Sequence, residues 1–232
     1  MSTENKQIEE MFKAGTHYGY SKSRRHASAK NYIFATKNNV DIINLEKTFP
    51  LFENALAEVT RLASLGKTIL FVGTKAEAKQ KIIETALALN MPYVNERWVG
   101  GTITNFSEIK KRISKLLDLR DKKEKGELEK YTKKERLLIE REMLDMTENF
   151  QGVTSLSKIP DAMIVIDSKK ENLAVTEANK MNLSIVSLLN TDCNLKEVKF
   201  PVLGNDASVS SITYFLDNVK EAYKKGSKGE VK

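Results

Sequence analysis

The sequence predicts an α/β protein in which a doubly wound parallel sheet of about five strands carries an inserted antiparallel helical hairpin. Two observations support this prediction. Short continuous apolar runs alternate with segments of helical periodicity, which is typical of parallel strands buried on both faces and joined by crossover helices. Between residues 107 and 149 that alternation stops, and two long helical patterns replace it. We therefore assign residues 1–106 and 150–232 to the core domain and residues 107–149 to a coiled-coil arm inserted in it.

Composition limits the class of protein. The chain has 232 residues, 41% of them hydrophobic, which is enough for one large domain. No apolar run reaches the roughly 18 residues that cross a bilayer, and the polar N-terminus lacks the apolar segment of a secretory signal, so we expect a cytoplasmic protein without membrane contact. The single cysteine, Cys193, excludes an internal disulfide. With only two histidines beside it in the chain, it offers no spaced metal set, so neither a metal nor a cofactor is expected.

The most uneven charge distribution lies near the N-terminus. Residues 12–39 contain no Asp or Glu, although the whole chain has 31 acidic residues and a net charge of +7. The segment holds six cations and both histidines: Lys13, Lys22, Arg24, Arg25, Lys30, Lys37, His17 and His26. Because ordinary surfaces mix charge signs, this pattern favours contact with phosphates over a merely solvated loop. Three tyrosines in the segment, Tyr18, Tyr20 and Tyr32, could stack on bases or anchor the loop to the core, and both readings stay open.

Periodicity and turn residues predict the first elements of the core. A short opening helix has Ile8, Met11 and Phe12 on one face and ends at Gly15. Residues 31–35 and 40–45 are β-rich and flank a polar turn, which predicts a hairpin. A second helix is predicted to begin after an N-cap at Thr48 and to end at Gly66. Its buried face comprises Phe52, Ala55, Leu56, Val59 and Leu62.

A strand–helix–strand unit follows. Residues 68–72 and 93–94 read as parallel strands, joined by a helix that starts at Ala76 and closes near Asn90 and Pro92. The core face of this helix comprises Ile82, Ile83, Ala86 and Leu87. The next stretch, residues 95–106, contains the only Trp and a pair of glycines. We expect Trp98 to be a buried anchor for the glycine turn and Arg97 to point outward.

The arm is predicted from two apolar series at three-four spacing. The series are Phe106, Ile109, Ile113 and Leu116, then Ile139, Met143, Met146 and Phe150. Between them the pattern breaks around Gly126, and Thr132 with Glu135 fits a capping box that starts the second helix. Most of the charge on the arm is of mixed sign, which is typical of a solvated helix surface.

The α/β alternation resumes after the arm. Residues 162–166, 184–189 and 200–203 are predicted strands. Between the first two lies a helix with Leu173, Ala174, Ala178 and Met181 on its core face. A final helix is expected to be capped by Asn205 or Asp206, to bury Val209, Ile212, Leu216, Val219 and Tyr223, and to fray from Lys224.

The residues argue against catalysis. The turn after residue 72 lacks the spaced glycines of a dinucleotide site and the Gly-Lys-Ser/Thr of a P-loop, so Gly73, Thr74 and Lys75 are better read as a plain strand-to-helix turn than as a site for one phosphate. Asp161 and Asp167 lie at opposite ends of one strand and cannot cooperate as an acid and a base. We therefore expect neither enzymatic activity nor a small-molecule substrate.

Residues 95–106 read Asn-Glu-Arg-Trp-Val-Gly-Gly-Thr-Ile-Thr-Asn-Phe, a pattern that resembles the signature of the S-two family of bacterial small-subunit ribosomal proteins. Further matches occur in order along the chain, at residues 14–19, 42–48, 70–75, 156–167 and 204–206. The resemblance implies a flavodoxin-like domain that carries a coiled-coil arm. It also implies a non-catalytic protein that binds small-subunit rRNA at the junction of head and body and that docks neighbouring ribosomal proteins, including the large messenger-binding protein S-one.

The basic segment departs from the family pattern. Tyr20 stands where the family commonly has a second His, and residues 25–29 replace an aromatic residue followed by Asn-Pro-Lys-Met. The replacement is more basic, so phosphate contact is still expected, whereas the path of the loop is left open.

Charge and resemblance together select the candidate residues. Those expected to contact RNA are Lys22, Arg24, Arg25, His26, Lys30, Lys37, Arg97, Lys110, Lys111 and Arg112. Those expected to shape the signature are Trp98, Gly100, Gly101, Thr104 and Asn105. Two alternatives remain: a nucleotide-binding enzyme on the same fold, disfavoured by the missing phosphate loop, and a free RNA-binding regulator, which would be found away from ribosomes.

Overall fold

The computed structural model describes residues 3–229, which form eight strands and seven α-helices joined by short 3-10 turns. The strands are β1 (Tyr18–Ser21), β2 (Ile33–Lys37), β3 (Val40–Ile43), β4 (Ile69–Val72), β5 (Tyr93–Val94), β6 (Ala162–Ile166), β7 (Ser184–Leu189) and β8 (Phe200–Leu203). The helices are α1 (Thr3–Lys13), α2 (Leu45–Ser64), α3 (Ala76–Ala88), α4 (Phe106–Glu124), α5 (Lys133–Phe150), α6 (Asn172–Lys180) and α7 (Val209–Lys228).

The main sheet confirms the predicted doubly wound core. Its strand order is β5-β4-β6-β7-β8, and every neighbouring pair is parallel. The chain starts at an inner strand, β4, adds β5 on one side, and then crosses to the other side for the remaining strands. This is the flavodoxin-like order, and it places a topological switch point between β4 and β6.

Both faces of the main sheet are buried, which explains why its strands are apolar throughout. In β4, Leu70 and Val72 face one apolar cluster, and Ile69 and Phe71 face the other. The first cluster includes residues of α6 and the base of the arm, whereas the second includes residues of α1, α2, α3 and α7. The sheet is therefore the middle layer of three.

A second, antiparallel sheet has the order β1-β3-β2. The β2–β3 hairpin confirms the sequence prediction, and Asn38 and Asn39 at its turn have φ values of 50° and 61°, the left-handed conformation that tight hairpins favour. Strand β1 was not predicted. The predicted N-cap at Thr48 is wrong, because α2 begins earlier: the Asn44 side chain accepts a hydrogen bond from the Lys47 amide.

Several apolar side chains expected on core faces are instead exposed. They are Phe12, Leu87, Leu173, Met181 and Val209. Phe12, Leu87 and Leu173 each adjoin a fully buried neighbour, and one step along a helix turns the side chain by about 100° around the axis, which takes it off the buried stripe.

The last helix also differs from its prediction at both ends. Its N-cap position is Ser208, while Asp206 is buried and Asn205 accepts a hydrogen bond from the Ala207 amide. It continues to Lys228, past the position at which we expected fraying, and residues 230–232 lie outside the described part of the chain.

The arm is formed by α4 and α5, whose buried side chains face each other along a narrow seam. The predicted capping box is present: the Thr132 amide donates to Glu135, and the Glu135 amide donates back to the Thr132 hydroxyl. The basal seam residues belong to the same apolar cluster as the main sheet; they are Ile109, Ile113, Leu116, Met146 and Phe150. The base of the arm therefore packs with the core, and we propose that the boundary between core and arm lies farther along the arm than residues 107 and 149.

An excision that respects this boundary should leave a folded protein. We expect that replacing residues 120–142 with a short Gly/Ser loop preserves cooperative thermal unfolding, because the basal seam stays in place. Replacing residues 108–148 should abolish it, since each lost core side chain is worth about 2–5 kcal/mol and a domain has only about 5–15 kcal/mol in total. Calorimetry of both variants is the measurement; equal stability of the two would show that the base of the arm contributes nothing to the core.

Candidate nucleic-acid interface

The small antiparallel sheet and the turns beside it present the basic segment at the surface. Lys22 and Arg24 lie in the turn after β1, Lys30 lies in the turn before β2, and Lys37 ends β2. All four are exposed, and none forms an ion pair with any residue in the described range 3–229. They are thus cations without an acidic partner in the described chain, held on a hydrogen-bonded sheet.

Arg25, in contrast, forms an ion pair within the protein. Its Nε donates to Asp41 Oδ2 at 2.6 Å, and its Nη2 contacts Asp41 Oδ1 and donates to Thr36 Oγ1 at 2.9 Å. Asp41 is fully buried; burial alone would raise its pKa, but the hydrogen bonds from Arg25 and Thr36 outweigh burial and lower it. The structure therefore places Arg25 as a link between the basic turn and β3, with its charge matched by the Asp41 carboxylate.

Both histidine rings also contact other residues of the protein. His26 Nδ1 accepts from the Ser28 amide at 3.2 Å and so caps the 3-10 turn over Ala27–Tyr32. His17 is buried, its ring stacks on Phe12 at 4.3 Å between centroids, and burial lowers its pKa. Tyr20 lies between Arg24 and Lys75, which makes it an anchor for the basic turn.

The switch point between β4 and β6 is filled by the protein's own side chains. Lys75 Nζ lies 2.7 Å from a carboxylate oxygen of Asp167 and 2.7 Å from one of Asp206. Burial would lower the Lys75 pKa, but these two carboxylates raise it above its ordinary value, so Lys75 stays charged. The Thr74 amide donates to buried Glu171 at 3.1 Å. The position at which this fold commonly binds a nucleotide is thus an internal ionic network.

The same network bears on metal binding. Asp167, Cys193 and Asp206 have ligand atoms within 4.8 Å of one another. The Lys75 ammonium group, however, already contacts both carboxylates and takes the place that a cation would need. Burial and the nearby Asp167 raise the pKa of the Cys193 thiol to about 12, which keeps it protonated and a poor ligand. The residues present do not fit a metal ion.

The signature stretch folds around one buried carboxylate, that of Glu177 on α6. Glu177 accepts five hydrogen bonds: from Trp98 Nε1 at 3.1 Å, from the amides of Gly101, Ile103 and Thr104 at 2.8, 3.1 and 3.2 Å, and from Thr104 Oγ1 at 3.1 Å. Gly101 has a φ of 90°, a value that a side chain would strain. Trp98 is buried as expected, with 7% of its surface exposed.

These hydrogen bonds set the charge of Glu177. Burial alone would raise its pKa, but the donors from Gly101, Trp98, Thr104 and Ile103 outweigh burial and lower it below the ordinary 4.5. The carboxylate is therefore ionised at neutral pH, and it holds the loop that leads from β5 to the arm.

The other candidates in and after the signature lie at the surface. Arg97 is exposed, as expected, and so are Lys110, Lys111 and Arg112 on the first turns of α4. Gly100 is also exposed. Asn105 precedes α4 without a side-chain capping bond, and its amide donates to the Gly101 carbonyl at 2.8 Å. The candidate RNA residues thus lie in three places: the small sheet with its turns, the loop after β5, and the first turns of α4.

The residues that hold these surfaces in place were missed by sequence reasoning. Glu177 carried one readable signal, because it is an acidic residue on the otherwise apolar face of α6, beside Ala174 and Ala178. Asp41 carried a similar one, since it is the first acidic residue after the acid-free segment. Asp41 pairs with Arg25 in the basic turn, and Glu177 pairs with the loop after β5. Hydrophobic periodicity along one element does not predict contacts between elements.

Trp98 should make a large contribution to stability. We expect Trp98→Ala to lower the free energy of unfolding by about 3–5 kcal/mol through loss of a buried ring. Trp98→Phe keeps most of the ring and loses the N–H donor, and should cost about 1–2 kcal/mol. Chemical denaturation measures both; a change within about 0.5 kcal/mol for Trp98→Ala would contradict the role of anchor.

Glu177 should make stability depend on pH in a specific direction. Since its folded-state pKa is lowered, its stabilising effect is complete above its unfolded pKa of 4.5 and is lost as the pH falls through the folded-state value. We expect Glu177→Gln to cost about 3 kcal/mol at pH 7, because buried amide donors lose their acceptor, and the difference from the natural protein to shrink below pH 4.5. Exposed Glu53→Gln is the matched control, and a pH-independent difference would argue against this assignment.

Across the described residues, no helix combines the length and the apolar character needed to cross a membrane. The family model described as "Ribosomal protein S2" matches residues 11–226 of the chain. The chain is 38% identical over 219 residues to "Small ribosomal subunit protein uS2" of Wolinella succinogenes, covering 94% of this chain and 81% of that protein. The protein of the same name from Sulfurimonas denitrificans is 37% identical over 219 residues (94% and 85%), and that from Buchnera aphidicola is 38% identical over 222 residues (96% and 91%). The chain therefore belongs to the ribosomal protein S2 family.

Proposed function

We propose that this protein is a structural, non-catalytic constituent of the small ribosomal subunit in the cytoplasm, and that its basic segment binds small-subunit rRNA near the junction of head and body. Family membership supports the first part, and three relatives carry the name of a small-subunit protein. The closed ionic network at the switch point agrees with a role that needs no small-molecule substrate.

One observation carries the RNA-binding part. Lys22, Arg24, Lys30 and Lys37 are exposed and unpaired within the described chain, whereas the cations nearest the core, Arg25 and Lys75, are already neutralised by buried carboxylates. Unpaired cations on a fixed scaffold attract phosphates and release counterions on contact, which favours a polyanionic partner. The acid-free composition of the segment removes the internal competitors for that contact.

The proposal includes protein neighbours, among them the messenger-binding protein S-one where the cell has it. An apolar groove of about 460 Å³ lies between α1 and the small sheet, and its lining includes Phe12, Phe34 and Ile42. Phe12 is 60% and Phe34 is 74% exposed, and large exposed apolar groups close together mark protein contact surfaces. The groove is the surface at which we place such a neighbour.

A triple substitution tests the RNA-binding part. We expect Lys22→Gln, Arg24→Gln and Lys30→Gln together to weaken binding to small-subunit rRNA fragments and to flatten the log–log salt dependence by roughly 0.7–0.9 per lost phosphate contact. Folding should survive, because exposed substitutions usually change stability by no more than about 0.5 kcal/mol each. Titrations at several salt concentrations, together with circular dichroism, give both quantities.

Two controls accompany this test. Lys180, Lys196 and Lys224 are exposed and unpaired in the described chain, so their change to Gln removes the same charge from other surfaces and should leave the affinity nearly unchanged. Arg25→Gln should lower stability instead, because it leaves Asp41 buried without its partner. Equal loss of affinity in the two triple variants would refute a specific role for the basic segment. Sedimentation of the protein away from small subunits in a lysate would favour a free regulator.

A further inference from the structure

An open cleft lies between α3 and the root of the arm. It has a volume of about 530 Å³, and it is lined by residues of α3, of β5 with its following loop, and of the end of α5. Three of these residues are apolar: Ile83, Leu87 and Tyr93. The cleft, which we call the α3 cleft, shares no described lining residue with the groove beside α1.

Helix α3 carries a second apolar row along this cleft. Ile82 and Ala86 are fully buried in the core, and we expected Ile83 and Leu87 to accompany them. Instead, Ile83 is half-buried and Leu87 is 60% exposed, and both line the cleft one helical turn apart. A helix in the outer layer of a domain needs one apolar stripe to pack on its sheet, so a second row at the surface favours contact with another molecule.

The floor of the α3 cleft has a fixed geometry. Tyr93 belongs to β5, the edge strand of the main sheet, and it packs against an apolar cluster of the core. A side-chain carbon at Gly152 would overlap the Tyr93 carbonyl oxygen and lie 2.6 Å from its ring, so the root of the arm is in close contact with β5. Both walls of the cleft are thus held at the same edge of the sheet.

The lining of the α3 cleft is acidic, although the whole chain has a net charge of +7. Its described residues include Glu96 and Glu148 and neither Lys nor Arg. Glu148 is exposed and has no ion pair within residues 3–229. Glu96 pairs with Lys79, but both side chains are more than a third exposed, so water screens the attraction.

The residues around the lining keep the sign of this charge. Glu84 and Asp145 each lie three residues before a lining residue on the same helix, and both are exposed without an ion pair in the described chain. The basic side chains of residues 3–229 that bond to the lining are Lys79 and Arg120, which donates to the Thr147 hydroxyl at 3.0 Å. With the two acids of the lining, four acidic residues stand against two basic ones, a net charge of −2.

We propose that the α3 cleft binds a basic segment of another protein, in which an apolar side chain is flanked by Lys or Arg. The apolar side chain packs on Ile83 and Leu87, and the flanking cations face Glu96 and Glu148. An apolar centre with a polar rim is the usual anatomy of a protein interface, and opposite charges at the rim select the partner. RNA fits this surface poorly, because its phosphates would meet carboxylates and the Tyr93 ring already packs on the core.

The inference goes beyond the proposed function. It depends neither on rRNA binding by the basic segment nor on a protein at the groove beside α1. A partner in the α3 cleft contacts α3 and α5 together, and so joins the core to the root of the arm.

A binding assay tests the inference with the full chain and a short fluorescent peptide in which two leucines are flanked by Lys and Arg. Leu87→Ser with Glu148→Lys should weaken peptide binding about tenfold or more, because it removes an apolar contact and reverses a charge at the rim. Both side chains are exposed, so circular dichroism and the unfolding temperature should stay nearly unchanged. Leu65→Ser with Glu53→Lys is the matched control, because it makes the same changes at exposed positions on and just after α2.

Three peptides and one competitor define the outcomes. A peptide with Glu in place of every Lys and Arg should not bind, and one with Ser in place of both leucines should bind more weakly. Absence of binding to the basic peptide, equal loss in the two double variants, or equal binding of the acidic peptide would overturn the inference. Displacement of the basic peptide from the α3 cleft by RNA would overturn it too, because it would identify a nucleic acid as the ligand.

A cross-linking experiment tests the same surface in the assembled particle. With p-benzoylphenylalanine in place of Leu87, irradiation of purified small subunits should attach this chain to a protein segment rich in Lys and Arg. Attachment to rRNA, to a second copy of this chain or to no partner would contradict the inference. If the chain does not enter small subunits at all, the proposed function fails, and the peptide assay still decides the inference.

Discussion

The carboxylate of Glu177 is the point on which the arrangement of this molecule depends. It accepts hydrogen bonds from the Trp98 ring nitrogen, from three backbone amides and from one hydroxyl, all within the stretch that connects β5 to the arm. A loop with paired glycines has many conformations, and one buried acceptor with five donors selects a single one. The direction in which α4 leaves the core, and hence where its lysines lie, follows from that choice.

Charges in this protein fall into two groups, and the division indicates what the molecule does. Inside, Lys75 and Arg25 are matched by carboxylates that are buried with them, so they stabilise a fixed geometry and offer nothing to a ligand. Outside, the basic segment and one side of α4 hold cations with no internal partner or with exposed ones. The position at which this fold commonly binds a ligand is thus filled by an internal ionic network, and the cations without an acidic partner lie at the surface.

Much of the fold could be predicted from the sequence, because the features concerned are local. The buried strands are continuous apolar runs, the hairpin has an Asn-Asn turn, and the second arm helix begins at a capping box that four residues define. The errors come from interactions that the local pattern does not contain. Thr48 has the right chemistry for a cap, but Asn44 is the cap because the chain turns there after β3. The sequence does not distinguish Arg25, which pairs with buried Asp41, from Arg24, which has no acidic partner in the described chain, and the partners of Glu177 lie far from it in sequence.

The same carboxylate has a consequence for the time course of synthesis. Glu177 leaves the ribosome about 70 residues after Thr104. At roughly 5–20 residues per second, the loop between β5 and α4 therefore lacks its hydrogen-bond acceptor for some 4–15 s. During that interval α4 and α5 emerge and can close their distal seam, but the base of the arm has no fixed direction. The nascent chain therefore contains both arm helices before it contains the residue that fixes their direction. The final orientation of the arm arises only when α6 packs on the sheet.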